Sequence, residues 1–369
     1  MKSHTSFIVF SVMLAAISCQ SRATLAESAT ANSCVQVGRI ARVQGEVLLK
    51  REEWPDFHPA TVGTILCLGD RLQPTRGTQV RVQCADANQT VWTVPDGVTS
   101  GAANGCPKPA EPRNTPFGST PPSRGETLAS SRIPYIISPR RTLLLTTSPT
   151  LRWHEVSGAK SYTVRVRGEG EDYWKTEVNG TEVVYAGTPL KLGVYYSVIV
   201  ETDNQRDSRE EDLEGLGFKL LDEQERSQLQ TARNQLSNQK LDEEAFALSL
   251  VDLYIRYDLK ADAIAILETL ANTGTTTAAV YRTLGELYRR VGLPPLAESA
   301  YLRAIELASA SDIEAQAEAN ASLGEVYAAL GEKNKAIQYI NQALIKYESL
   351  AASERVRELK NQLTELTNQ

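Results

Sequence analysis

Two spacings of apolar residues divide the chain. Over roughly the first two thirds they alternate as in strands, and over the last third they recur every three or four residues as in helices. Tyr281, Leu284 and Tyr288 mark one helix face, Gly292 predicts its stop, and Pro294-Pro295 restart the chain. Ala297, Tyr301 and Ala304 then mark the buried face of a second helix. A pair this short cannot bury its apolar face alone, so it predicts stacked neighbours. Leu250, Tyr254, Ala263, Leu267 and Leu270 stand 34 positions before Leu284, Tyr288, Ala297, Tyr301 and Ala304. Leu323-Gly324, Tyr327, Gly331, Ala336, Ile340 and Ala343 repeat the pattern 39 positions later, the five extra residues falling within 308–319, where they should lengthen helices. Three helix pairs result, at 244–277, 278–311 and 317–350 within a 244–350 array. A capping helix over 351–369 follows, apolar at Ala352, Val356, Leu359, Leu363 and Leu366 and polar elsewhere. A polar helix over 222–243, with a thin stripe of Leu229, Ala232 and Leu236, leads into the array.

The strand-like part falls into two blocks. In 32–106, the runs Ile40–Val43, Val47–Leu49 and Thr90–Val94 surround Gln79–Cys84, which alternates apolar with polar as a half-buried strand does. In 134–221, Thr150–Trp153, Tyr162–Val166, Val183–Tyr185 and Tyr195–Val200 come at near-regular spacing, with turns at Asn179-Gly180 and Gly193, and predict a small antiparallel sandwich. Between the blocks, 107–133 holds Pro107, Pro109, Pro112, Pro116, Pro121 and Pro122 among polar residues, and reads as an extended spacer that lets the first block move. The expected fold class is multidomain, β + β + α, ending in an α-solenoid.

Residues 1–31 read as an export segment, with Lys2 ahead of a Phe7–Ile17 apolar core too short to span a bilayer. Ser21-Arg22-Ala23, Thr24-Leu25-Ala26 and Ala29-Thr30-Ala31 offer ordinary cleavage sites. Ala16-Ile17-Ser18-Cys19 offers the alternative, a lipoprotein-like box with a lipid anchor at Cys19 and Ala16 where Leu is usual. No later apolar run reaches transmembrane length, so the expected location is the periplasm or cell envelope, or outside the cell. Cys34, Cys67, Cys84 and Cys106 all lie in the first block, an even set that predicts two disulfides with three connectivities open. A metal site is disfavoured, since no C-x-x-C pair exists and only His58 lies nearby. The net charge of −6 argues against a dedicated nucleic-acid binder.

Three resemblances follow from these motifs. Leu284-Gly285, Tyr288, Gly292, Ala297, Tyr301 and Ala304 resemble a tetratricopeptide (TPR) repeat. Val43, Gly45, Val47, Trp54, Gly63, Leu66, Gly69, Asp70 and Leu72 resemble the FecR-type domain, a β-rich module of bacterial envelope proteins; the four cysteines are an addition to it. The family's regulators carry a membrane helix and a cytoplasmic segment that have no counterpart here. SPTLRWHEVSGAKSYTVRV, at 148–166, looks like the early strands of a fibronectin type III or immunoglobulin-like domain, with Trp153 in the core and Tyr162 beside it. The TPR resemblance implies a concave groove lined by the first helix of each unit: Leu248, Asp252 and Ile255, then Arg282, Glu286 and Arg289, then Ala321, Glu325 and Ala328. The clamp that holds a terminal carboxylate in the chaperone-binding version is absent, because its positions here are Leu248, Asp252, Thr283, Glu318 and Ser322.

No nucleophile elbow, phosphate loop, Rossmann fingerprint or metal cluster occurs. The acids of Glu169–Asp172 and Arg209–Asp212 read as solvated turns, Asp70 as a hairpin-corner residue, and His154 as a solvated outer-face side chain. The expected function is a non-enzymatic envelope scaffold that needs no cofactor and binds an unidentified envelope protein or peptide through its repeats. The alternatives are an envelope sensor, or a glycan-binding module with Trp54, Trp92 or Trp174 as stacking platforms.

Overall fold

The computed structural model describes residues 34–111, 116–117, 132–211 and 215–368. The export segment with Cys19, and most of the 107–133 spacer, lie outside the described residues. The N-terminal module has eight strands: β1 (Gln36–Gln44), β2 (Val47–Lys50), β3 (His58–Ala60), β4 (Ile65–Cys67), β5 (Arg71–Pro74), β6 (Gln79–Cys84), β7 (Val91–Val94) and β8 (Ser100–Gly101). They form two antiparallel four-stranded sheets, ordered β4-β1-β6-β7 and β3-β2-β5-β8. Gly45 carries the chain from one sheet to the other at φ +112°, where an L side chain would be strained and would strike Thr78. Ile40, Leu49, Leu66, Leu72, Val80 and Val82 fill the space between the sheets.

The cysteine sulfurs pair as Cys34–Cys67 and Cys84–Cys106, with Cα separations of 5.1 and 5.4 Å, which selects one of the three connectivities. The second bridge closes β6 onto the residue after α1 (Ala102–Gly105), a sequence separation of 22. Closing a loop of that size stabilises a domain by about 3 kcal/mol through the unfolded chain. Replacing Cys84 and Cys106 by Ala should therefore lower the denaturant midpoint of the purified protein, and added reductant should not lower that variant further at this bridge. An unchanged midpoint would contradict the bridge's structural role.

The second module also has eight strands: β9 (Ile136–Ser138), β10 (Thr142–Leu144), β11 (Thr150–Trp153), β12 (Tyr162–Gly168), β13 (Glu171–Val178), β14 (Glu182–Val184), β15 (Tyr196–Thr202) and β16 (Phe218–Leu220). Two sheets, β10-β16-β15-β12-β13 and β14-β11-β9, share a core of Trp153, Tyr162, Val164, Val166, Tyr196, Val200 and Phe218. β10 runs parallel to β16. At the start of β15 the Tyr196 hydroxyl accepts a hydrogen bond from the Lys191 amide at 2.7 Å.

The helices are α2 (Glu223–Ser237), α3 (Glu243–Arg256), α4 (Lys260–Asn272), α5 (Ala278–Val291), α6 (Pro294–Leu307), α7 (Ile313–Ala329), α8 (Lys333–Ser349) and α9 (Ser353–Asn368). Asp222, Asp242 and Asp312 cap α2, α3 and α7 by accepting from the amide three residues on. Gly292 ends α5 at φ +79°, and Pro294 and Pro295 occupy the first turn of α6. A Cβ at Gly285 would press the Tyr301 ring at 3.0 Å, so the glycine lets α5 and α6 pack closely; Gly324 does the same for α7 against Ile340 of α8. The five extra residues before the third pair lengthen α7 at its start, while α8 is longer at its far end, through 347–349. α7 and α8 have 17 residues each against 14 in α5 and α6, and α7 begins at Ile313, ahead of the expected boundary at 317.

From Cys34 onward the chain is one compact unit, and apolar residues of the first module and of the helices belong to one core. The first module is thus docked on the helices, where the sequence predicts it held apart on a spacer. Of the spacer's described residues, Phe117 and Ile133 are buried, and the Phe117 amide donates to the Asp258 carboxylate at 3.2 Å. A correction concerns the acids expected in a solvated turn. Glu211 is buried against the equally buried Arg140, whose guanidinium also donates to the carbonyls of Ile136, Val291 and Gly292. This cluster joins the sandwich to the C-terminal end of α5.

Candidate functional site

The expected groove is the inner face of α3, α5 and α7, and its residues are mutually engaged. Leu248 is buried and Ile255 packs half-buried against the core. Arg282 pairs with Glu318 at 2.6 Å. Glu286 accepts hydrogen bonds from Arg289 at 2.9 and 3.0 Å, from Arg290 at 2.6 Å and from the Tyr301 hydroxyl at 3.1 Å. Arg289 reaches across to Glu325 of the next unit at 3.2 Å. Burial works to raise the Glu286 carboxyl, but Arg289 and Arg290 outweigh it and hold it below its ordinary value. For Glu325 burial wins over Arg289, and its carboxyl is raised. Ala321 is buried and Ala328 half-buried, so the charged ladder is the polar content of this face in its C-terminal half.

The N-terminal half of the face is covered by the chain's own first module. Arg39 of β1 makes a two-pronged pair with Asp252 of α3, at 2.7 and 2.6 Å, and donates to the Gly63 carbonyl at 2.9 Å. Arg39 is only 4% exposed, so this charge sits in the seam and requires its partner. Arg282 also donates to the Gly63 carbonyl, at 3.3 Å. The Gly63 backbone, at φ +89°, lies so close to Ala279 of α5 that a Cβ at 63 would overlap that methyl group. Farther along, the Thr61 hydroxyl donates to Asp312 at 2.6 Å, Arg51 pairs with Glu314 of α7, and Glu53 accepts from Ser353 and Glu354 at the start of α9. Near α2 and α3, Arg81 donates to the Gln239 carbonyl at 3.0 Å and Arg256 to the Ala85 carbonyl at 2.9 Å. The module thus touches the array from its first helices to its last.

Asp70 is a turn residue, accepting from the Cys67 amide at 2.7 Å, but its carboxylate also pairs with Arg51 at 2.6 Å and is buried. Its expected role as a hairpin corner therefore understates it. His154 is not a freely solvated side chain: it stacks on Tyr135 with ring centroids 4.5 Å apart, and burial lowers its pKa. Trp54 is buried between Arg51 and His58, Trp92 covers Gly105 half-buried, and Trp174 meets Tyr185 edge to face. Among the described residues no group of three or more His, Cys, Asp and Glu could hold a metal ion, and no helix is long and apolar enough to cross a membrane.

Sequence reasoning missed Arg39, Arg51 and Thr61, and named Gly63 only as a position of the FecR-type motif. Each carries a weak local signal at most. Their meaning lies in partners more than 200 positions away, such as Asp252, which is 213 residues from Arg39.

The geometry of close-packed helix pairs with a glycine or alanine at each crossing has a counterpart among known proteins. Residues 276–349 match the tetratricopeptide-repeat family. No curated protein matches the chain. Two crystal structures of MamA are similar in part. Each is 22% identical and covers 39% of this chain, matching 92% and 82% of its own length with TM-scores of 0.28 and 0.29. Superpositions that loose say nothing of how the modules of this chain are arranged. The TPR segment supports a protein-binding role for the C-terminal helices.

Proposed function

We propose that this is a non-enzymatic adaptor of the bacterial cell envelope, which carries a FecR-like module and an immunoglobulin-like sandwich on a TPR array that binds protein. The observation that carries the reading is the inner face of the array, which already holds a folded protein surface through paired charges and a close backbone contact at Gly63. A surface that grips one protein module by such means is suited to grip another.

The finer parts have separate support. Two disulfides in the first module suit an oxidising compartment, and so favour export. The strand order β10-β16-β15-β12-β13 over β14-β11-β9, the core Trp153 and the hydroxyl of Tyr196 bonded back to Lys191 favour an immunoglobulin-like sandwich. The FecR reading rests on the sequence motif around Gly69-Asp70.

The half of the inner face that the first module leaves half-exposed contains Glu286, Arg289 and Glu325. The full chain, immobilised and exposed to an envelope extract, should enrich a defined partner, and Arg289→Glu should weaken that capture by about tenfold, the scale of one well-placed interface charge. Capture of nothing by the wild-type chain and by a variant whose first module is displaced would sink the adaptor reading. Capture indifferent to Arg289→Glu would remove this half of the face from the site.

A further inference from the structure

We propose that the first module is a proton-governed lid on the TPR array, which closes the inner face more tightly in acid and loosens as the medium rises to neutral. The inference rests on the protein-binding reading of that face and assigns its regulation.

The lid's latch is a cluster of charges that docking completes, through the Arg51–Glu314 pair and the Thr61–Asp312 hydrogen bond. Arg51, between β2 and β3, and Asp70, between β4 and β5, come from the module. Arg282 of α5 and Asp312, Glu314 and Glu318 at and within α7 come from the array. Arg51 pairs with Asp70 at 2.6 Å and with Glu314; Arg282 pairs with Glu318 at 2.6 Å; Asp312 accepts from Thr61 at 2.6 Å. Four carboxyls thus face two guanidiniums. The docked seam has an acid surplus in a place shielded from water, Glu314 being 13% exposed and Asp70 3%. Tyr347 of α8 also faces Glu314 and Glu318, with Arg355 of α9 beside it.

Burial first, then the neighbouring Glu318 and Asp70, push the Glu314 carboxyl up to about 7, although Arg51 pulls the other way. Burial likewise raises Asp70 and Asp312, so all three act in one direction. When the module lifts away, Glu314 loses its cover and Asp70, keeps Glu318 and Arg282 as neighbours on the array, and falls toward the ordinary carboxylate range. The docked state therefore holds one more proton than the open state between roughly pH 4.5 and 7. Acid favours the state that binds the proton, so docking strengthens as pH falls below 7 and levels off above it. Arg51 keeps Asp70 as its counter-ion when Glu314 is neutral, so protonation removes the surplus without stranding the guanidinium.

The test uses the full chain with a donor and an acceptor dye placed, through non-natural residues, at exposed Thr99 of the module and exposed Gln338 of α8. Single-molecule energy transfer then counts closed and open molecules. Ala279→Trp, which fills the space under Gly63, provides the open reference. The closed-to-open ratio of the wild type should rise about tenfold from pH 8 to pH 6. Glu314→Gln, which mimics the protonated side chain, should be flat over that range and more closed than the wild type at pH 6 by about thirtyfold, because the open wild type is still ionised there. A wild-type ratio that does not change with pH, or a pH response that survives intact in Glu314→Gln, overturns the proposal. So does an Ala279→Trp protein that is as closed as the wild type while its circular dichroism is native. Because the dyes report docking and not partner capture, a lid that responds while no partner is captured would sink the binding reading and leave the lid standing.

Discussion

Arg140→Met is expected to lower the unfolding free energy of this protein by about 3–5 kcal/mol, the range for breaking a buried ion pair from one side. Arg140 is almost completely buried, and its guanidinium serves one carboxylate, that of Glu211, and three backbone carbonyls. Two of those carbonyls, of Val291 and Gly292, belong to the end of α5, where a helix leaves its last acceptors unsatisfied. One side chain thus neutralises a buried acid and completes a helix terminus in another module. Met keeps much of the volume but none of the donors, so the buried Glu211 would lose the guanidinium that pairs with it in two places. Urea unfolding followed by circular dichroism measures the loss as a lower midpoint. Adding Glu211→Leu should recover a large part of it, because two apolar side chains in a closed seam do not carry the cost of a buried carboxylate that has lost this guanidinium. A single variant less than about 1 kcal/mol below the wild type would mean that water reaches the seam and that the sandwich is not locked to the array there.

What the sequence made legible was local. The change from period two to helical spacing located the strands and helices, since each depends on neighbours a few residues away. Gly292 with Pro294-Pro295 marked a helix boundary because a left-handed cap and an N-terminal proline are backbone requirements. The groove positions could be named for the same reason: Arg282, Glu286 and Arg289 follow from helical phase. What covers them could not be read. Arg39 looks like any polar residue on an alternating strand until Asp252 is placed beside it. Glu211 sits in a run of charges that composition assigns to solvent, and only the approach of Arg140 makes it a buried partner. Phe117 lies in a proline-rich stretch with hardly another apolar residue, so its burial beside Tyr195 and Lys260 leaves no periodic trace. In each case the missing information was a contact between modules.

That kind of contact is tested most directly at Asp252. Asp252→Arg places a second guanidinium against Arg39, which is buried and has its ion-pair partner there. The expected cost to docking is about 2–4 kcal/mol, somewhat below the fully buried range because Asp252 keeps 22% of its side chain exposed. Small-angle scattering should show a larger radius of gyration, while circular dichroism keeps its helix and strand content. The companion reversal, Arg39→Asp in the same chain, restores opposite charges across the seam and should recover most of the compactness. It cannot recover all of it, because aspartate does not reach the Gly63 carbonyl and cannot donate to it. Partial rescue would show that the pair acts by charge and that the hydrogen bond to Gly63 adds a separate contribution. Should the single reversal leave the scattering profile unchanged, Arg81, Arg256 and the Arg51 cluster must hold the module without it. The seam would then be a set of independent contacts in which Arg39 is not the anchor.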